Sequence, residues 1–76
     1  MNWLPLESEM LASVAYDAER QILHLRFRGT GDVYRYFKLP AAEYRAFLDA
    51  ESHGRFFLAH IRGRFRYERM AKLQAA

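Results

Sequence analysis

The chain has 76 residues, 51% hydrophobic, 16% aromatic and 28% charged, with a formal net charge of +3. That length makes one domain and leaves no room for two, and the composition is that of an ordinary globular chain rather than a disordered one. The absence of cysteine excludes a disulfide framework, a thiolate zinc site and a cysteine nucleophile, and it fits a reducing compartment. No apolar run approaches the roughly 20 residues that span a bilayer. The first residues lack the basic and long apolar segments of a signal peptide. The expectation is therefore a cytoplasmic protein with no membrane partner. Charge is unevenly placed: between Arg55 and Lys72 six basic residues face the single acid Glu68. Such a cluster suits acidic partners, nucleic acid among them.

Residues 1–9 read as an N-terminal extension, interrupted by Pro5 and Glu7-Ser8-Glu9, with the large ring of Trp3 expected to dock on the body. Met10 to Tyr16 reads as a first strand, with Leu11, Ser13 and Ala15 on one face and Ala12, Val14 and Tyr16 on the other. Asp17-Ala18-Glu19-Arg20 has hairpin-loop length, and Asp17 can accept hydrogen bonds from its own turn. Gln21 to Arg28 is the clearest strand. Leu23, Leu25 and Phe27 alternate there with Ile22, His24, Arg26 and Arg28, so the odd-numbered side faces the core. Gly29-Thr30-Gly31-Asp32 makes a second turn. A third strand follows, Val33-Tyr34-Arg35-Tyr36-Phe37, closed by Pro40. Placing Val33 and Phe37 in the core puts Tyr34 and Tyr36 on the side of His24, Arg26 and Arg28.

Ala41 to Ala50 reads as a helix with Tyr44, Phe47 and Leu48 on one stripe. A second helix starts near Ser52, whose hydroxyl can cap it. It carries Phe57 with Ile61 on one face and Phe56 with His60 on the next, and it stops at Gly63. Arg64-Phe65-Arg66-Tyr67 reads as a short fourth strand or an extended tail. Residues 68–76 suit a helical turn or two, with Met70 and Leu73 three apart. The fold class is α+β, in the order β-β-β-α-α: a three-stranded antiparallel meander, four-stranded if 64–67 pairs, with two helices packed on one face. The domain spans 10–69, and 70–76 form a C-terminal tail.

In that order of elements the chain resembles the KTSC domain, a family named for the carboxy-terminal domain of lysyl-tRNA synthetase. The residues that carry the likeness are Ala12-Ser13-Val14-Ala15-Tyr16-Asp17, Leu23 to Phe27, Val33-Tyr34-Arg35-Tyr36-Phe37 with Pro40, Ser52-His53-Gly54-Arg55-Phe56-Phe57, His60-Ile61-Arg62-Gly63 and Phe65-Arg66-Tyr67. They cover about residues 8–69. Ala15 stands where many members have glycine, and the Gly29–Asp32 turn is slightly longer than usual; both touch geometry more than chemistry. The resemblance implies a small bacterial module that also occurs appended to some lysyl-tRNA synthetases, and that association suggests RNA binding.

Two basic and aromatic sets are the candidate sites. Tyr34 and Tyr36, beside Arg26 and Arg28, could stack bases while the arginines hold phosphates. Arg62, Arg64 and Arg66 could form a phosphate-binding rim, or else be surface charge paired with Glu43, Asp49 or Glu51. The same aromatic face could instead be structural, or be buried against a protein partner or a second copy of the chain. Ser52 and His53 do not make a catalytic set, because no orienting acid is evident. His24, His53 and His60 lack a metal-ligand spacing. The expected function is a non-catalytic module without cofactor that binds RNA or another nucleic acid, the alternative being protein interaction or homo-oligomerisation.

Overall fold

Period-two alternation of Leu23 and Leu25 makes Ile22–Phe27 the centre of the sheet, since both side chains are fully buried. The computed structural model describes residues 2–70. Its sheet has five strands in chain order: β1 (Leu4–Pro5), β2 (Leu11–Asp17), β3 (Ile22–Phe27), β4 (Val33–Tyr36) and β5 (Tyr67–Met70). All neighbouring pairs are antiparallel. The three-stranded meander expected from the sequence is thus the middle of a larger sheet. Helix α1 (Ala41–Asp49), helix α2 (His53–Phe56) and a π-helical segment (Phe57–Ile61) lie between β4 and β5. The fourth pairing begins at Tyr67 rather than Arg64, and Tyr67–Met70 is extended where helical turns were expected. Leu73, the other half of that expected helical pair, and the rest of the tail lie outside the described residues.

Local chemistry explains most boundaries. Asp17 accepts from the backbone N–H and the guanidinium of Arg20, both at 3.1 Å, which closes the first hairpin as expected. These bonds hold the Asp17 carboxyl below its usual range. In β2 the register slips between Leu11 and Ser13. This bulge lets Leu11 join Val14 in the core instead of following Ser13 to the other side. Pro40 sits at the N-cap of α1, where its missing N–H costs nothing. The Ser52 hydroxyl accepts from the N–H of Arg55 at 3.2 Å and caps α2. Gly63, at φ +80°, follows the π-helical segment in the left-handed conformation that glycine takes without steric cost.

The helices cover one side of the sheet. Phe47 and Ile61 are fully buried, Phe57 nearly so, and Tyr44 stacks on Tyr16 with ring centroids 4.4 Å apart. The Tyr16 hydroxyl donates to the Leu39 carbonyl at 2.7 Å, tying β2 to the segment that enters α1.

The N-terminal segment is held by one arginine. Arg28 donates through Nε to the Ser8 carbonyl at 2.8 Å, and through Nη2 to the carbonyls of Leu6 at 2.8 Å and Leu11 at 3.3 Å. It seats Leu6 in the core and β1 against β2. Replacing Arg28 by alanine is expected to cost roughly 1.5–3 kcal/mol in urea unfolding, the range for a hydrogen bond to a charged group. Arg28→Lys, which keeps the charge but loses the planar fork, should recover less than half of that loss.

Candidate functional site

Pairing between β3 and β4 runs Leu23 to Tyr36, His24 to Arg35, Leu25 to Tyr34 and Arg26 to Val33. Residues directly opposite share a face, so Tyr34 and Tyr36 lie on the side of Leu23 and Leu25, beneath the helices. This corrects the expected placement, in which Val33 and Phe37 belonged to that core face and the two tyrosines shared a face with Arg26 and Arg28. Tyr36 is 3% exposed and packs its ring against Phe57, with centroids 5.6 Å apart at 73°. It is a core residue rather than an exposed stacking platform.

The helices do not reach across the whole of this side. Beyond Phe57 they leave an open groove of about 710 Å³ over β4 and β5, with Tyr34, Tyr36 and Tyr67 among its lining residues. The three rings form one cluster, with centroids 5.6 Å apart for Tyr34 and Tyr67, 5.7 Å for Tyr36 and Tyr67, and 6.4 Å for Tyr34 and Tyr36. Phe27 meets Tyr34 edge-on at 5.2 Å and Phe57 at 5.4 Å, closing the inner wall. Tyr67 is the open side of the cluster, at 56% exposed. Arg62 also lines the groove. Its position follows from the π-helical segment: its N–H donates to the Phe57 carbonyl, five residues back, at 2.9 Å, just before the chain turns at Gly63.

Burial is the main force on the Tyr36 phenol and pushes its pKa well above the ordinary value; the neighbouring Tyr34 and Tyr67 add to this, and the Arg62 guanidinium opposes it. Across the groove mouth Arg69 donates through Nε and pairs through Nη2 with one Asp32 oxygen, each at 3.1 Å, which fastens β5 to the β3–β4 turn. Arg69 is thereby committed to structure.

The other expected phosphate contacts scatter. Arg26 lies on the far side of the sheet, 5.4 Å over the Trp3 ring, and Trp3 also meets His24 edge-on at 6.2 Å; the docking expected of Trp3 is seen. Burial, with Arg35 adding to it, holds the His24 pKa below its usual value against the opposing pull of Asp17. Arg28 is the clamp on the N-terminal segment. Arg64 lies over Phe65 at 5.8 Å, and Arg66 over Phe37 at 5.7 Å. None of the three ion pairs among the described residues involves Arg62, Arg64 or Arg66, so pairing with Glu43, Asp49 or Glu51 is not their role there. Of the expected set, Tyr34, Tyr36 and Arg62 come together. Tyr67 was missed as their partner because the β4–β5 register, Tyr36 opposite Tyr67, is not written in the local sequence.

Ser52 and His53 line a smaller hollow of about 320 Å³. The Ser52 hydroxyl serves as the helix cap, and His53 Nε2 lies 3.4 Å from the Leu48 carbonyl. Among the described residues no group of three histidines or carboxylates is arranged to hold a metal ion, and no helix is long and apolar enough to cross a membrane.

The family description "KTSC domain" matches residues 7–65. The chain belongs to the KTSC domain family. A KTSC domain protein from Yersinia pestis has the same fold at a TM-score of 0.86 and 32% identity, over 91% of this chain and 96% of that one. A small protein of Tsukamurella paurometabola is 42% identical over 62 residues, which are 82% of this chain and 91% of its own. A lysine–tRNA ligase of Trichormus variabilis is 32% identical over 65 residues, 86% of this chain but 11% of the ligase. This KTSC sequence therefore matches whole small proteins and a minor part of a large enzyme.

The raised pKa values of Tyr36, Tyr16 and Tyr44 set a sign for stability at alkaline pH. A phenol whose folded value lies above its unfolded value, near 10, contributes stability that is complete below that pH and is lost as pH rises toward the folded value. Stability from urea unfolding should therefore decline above about pH 10. In Tyr36→Phe the decline should be shallower, and the phenolate absorbance that appears only on unfolding should shrink by one tyrosine.

Proposed function

We propose that this KTSC domain is a non-catalytic RNA-binding module that takes an unpaired base against the tyrosine cluster and holds an adjoining phosphate with Arg62. One observation carries the reading: three tyrosine rings within 6.4 Å of one another share an open groove with an arginine that pairs with no carboxylate among the described residues. Aromatic faces stack bases of any sequence, and a guanidinium suits phosphate. Tyr34 and Tyr67 supply the accessible rings, and Tyr36 supports them from the core. The likeness to part of a lysine–tRNA ligase, an enzyme named for a reaction on RNA, supports the same partner. A cytoplasmic location fits that partner and the lack of cysteine.

Fluorescence anisotropy with a mixed-sequence single-stranded RNA at two salt concentrations tests the reading. Affinity should fall steeply with salt through counterion release. Tyr67→Ala should weaken binding about tenfold or more, matching the roughly 1–3 kcal/mol of one stacked base. Absence of binding at low salt removes the proposal.

A protein partner is the second reading, favoured by the exposure of Leu58 (44%) beside Tyr67 (56%) on the same groove. If that partner is a second copy, sedimentation should show a mass that rises with concentration, and Leu58→Asp should abolish the rise. A constant monomer mass removes self-association.

A further inference from the structure

The side of the sheet away from the helices carries a second feature, set by register alone. Arg26 on β3 stands opposite Val33, Arg35 on β4 stands opposite His24 and Glu68, and the Phe37 N–H donates to the carbonyl of Arg66 at 2.9 Å. Stepping from β3 to β4 to the start of β5 moves each arginine two positions along the strands. Arg26, Arg35 and Arg66 therefore form one diagonal across three adjacent strands, with neighbours about 7–8 Å apart at the backbone.

Aromatic rings hold each of them. Arg26 lies 5.4 Å over Trp3, and Arg35 and Arg66 each lie 5.7 Å from the centre of the Phe37 ring, one from β4 and one from β5. A guanidinium seated on a ring can still present in-plane N–H groups to an anion and loses little entropy when it binds; Arg26 uses one of its own, Nη1, on the Gly31 carbonyl at 3.3 Å. The Arg35 Nε is enclosed, out of reach of a ligand, and Nη2 pairs with Glu68, so Arg35 can offer an anion only its outer N–H groups. The other carboxylate on this side, Asp17, is engaged by Arg20. Neither Arg26 nor Arg66 is in an ion pair among the described residues. The stripe is thus cationic in excess, and its spacing is comparable with the step between successive phosphates of one nucleic-acid strand.

We infer that the Arg26–Arg35–Arg66 diagonal is a backbone track that binds consecutive phosphates of a single RNA strand, on the face opposite the tyrosine groove. The inference rests on RNA as the partner and adds a second, base-independent contact surface. Each phosphate neutralised on a single strand contributes about 0.7 to the slope of log affinity against log salt. The double variant R26Q/R66Q, at two positions that do not line the groove, should lower the magnitude of that slope for a short oligouridylate by about 1.4. Guanidinium Nε–H resonances of Arg26 and Arg66 should shift during the same titration of the unmodified protein, a readout that needs no substitution. An unchanged slope in the folded double variant, or stationary resonances with RNA bound, overturns the track while leaving the RNA reading intact if Tyr67→Ala still weakens binding. Equal competition by polyglutamate would assign the stripe to acidic proteins and also overturn it. Failure of the unmodified protein to bind RNA at low salt overturns both.

Discussion

The four-residue connection Arg28–Gly31 decides what each face of this protein is made of. Phe27 and Asp32 close it, with the Phe27 N–H donating to the Asp32 carbonyl at 2.9 Å and the Gly31 N–H donating back to the Phe27 carbonyl at 2.8 Å. Gly31 takes φ +76°, and Thr30 Oγ1 accepts from the Asp32 N–H. With four residues in the loop, odd-numbered positions of β3 stand opposite even-numbered positions of β4. One residue more or fewer would exchange the faces of β4 entirely. Tyr34 and Tyr36 would then face outward, and the charged Arg35 would lie beneath the helices. Burying an unpaired guanidinium costs far more than two tyrosine rings lose by partial exposure. The observed register puts the rings under Phe57 and leaves Arg35 at the surface beside Glu68.

The sheet edges follow from the same economy of polar groups. Strand β1 is two residues long and includes Pro5, which cannot offer an N–H to another chain. The carbonyls of Leu6 and Ser8, left without sheet partners by so short a strand, are taken by Arg28. At the other edge β5 is tied down by side chains on both of its faces: Arg69 to Asp32 on the groove side, and Glu68 to Arg35 on the far side. Phe57 and Ile61, four residues apart, share the buried face of the π-helical segment, while Arg62, whose N–H reaches back five residues to the Phe57 carbonyl, emerges at the groove. A regular α-helix would rotate Arg62 away from that position by most of a residue step.

Much of the architecture was legible because it rests on local chemistry. Leu23 and Leu25 marked the core strand, Asp17 and Ser52 marked a turn and a cap, and Tyr44 and Phe47 marked the buried stripe of α1. The face of β4 differs from the one expected, although the sequence carries one signal for it. The triplet Val33-Arg35-Phe37 has a charge at its centre and Tyr34-Tyr36 has none, so the tyrosines were the better candidates for the covered side. The pairing of β5 is different in kind. It joins residues more than thirty apart, such as Arg35 and Glu68, and no short-range pattern encodes it. That pairing brings Tyr67 to the other two tyrosines and Arg66 to Phe37. Both candidate surfaces therefore remained invisible as units, even though most of their residues stood out by type.

Strand alternation across β5 has a consequence for any partner that uses both surfaces. Tyr67 faces the groove, while Glu68 and the guanidinium of Arg66, seated over Phe37, face the arginine diagonal. The two surfaces meet only along this edge, separated by the thickness of one strand. A rigid duplex laid on one face cannot turn round so thin an edge, since bending a duplex through a right angle already costs several kcal/mol over some 20–30 base pairs. A single strand bends there freely, because each of its nucleotides has its own rotatable backbone. For the single-stranded partner proposed above, this geometry would let a base lie in the tyrosine groove while the next phosphates pass over the edge to Arg66 and Arg35.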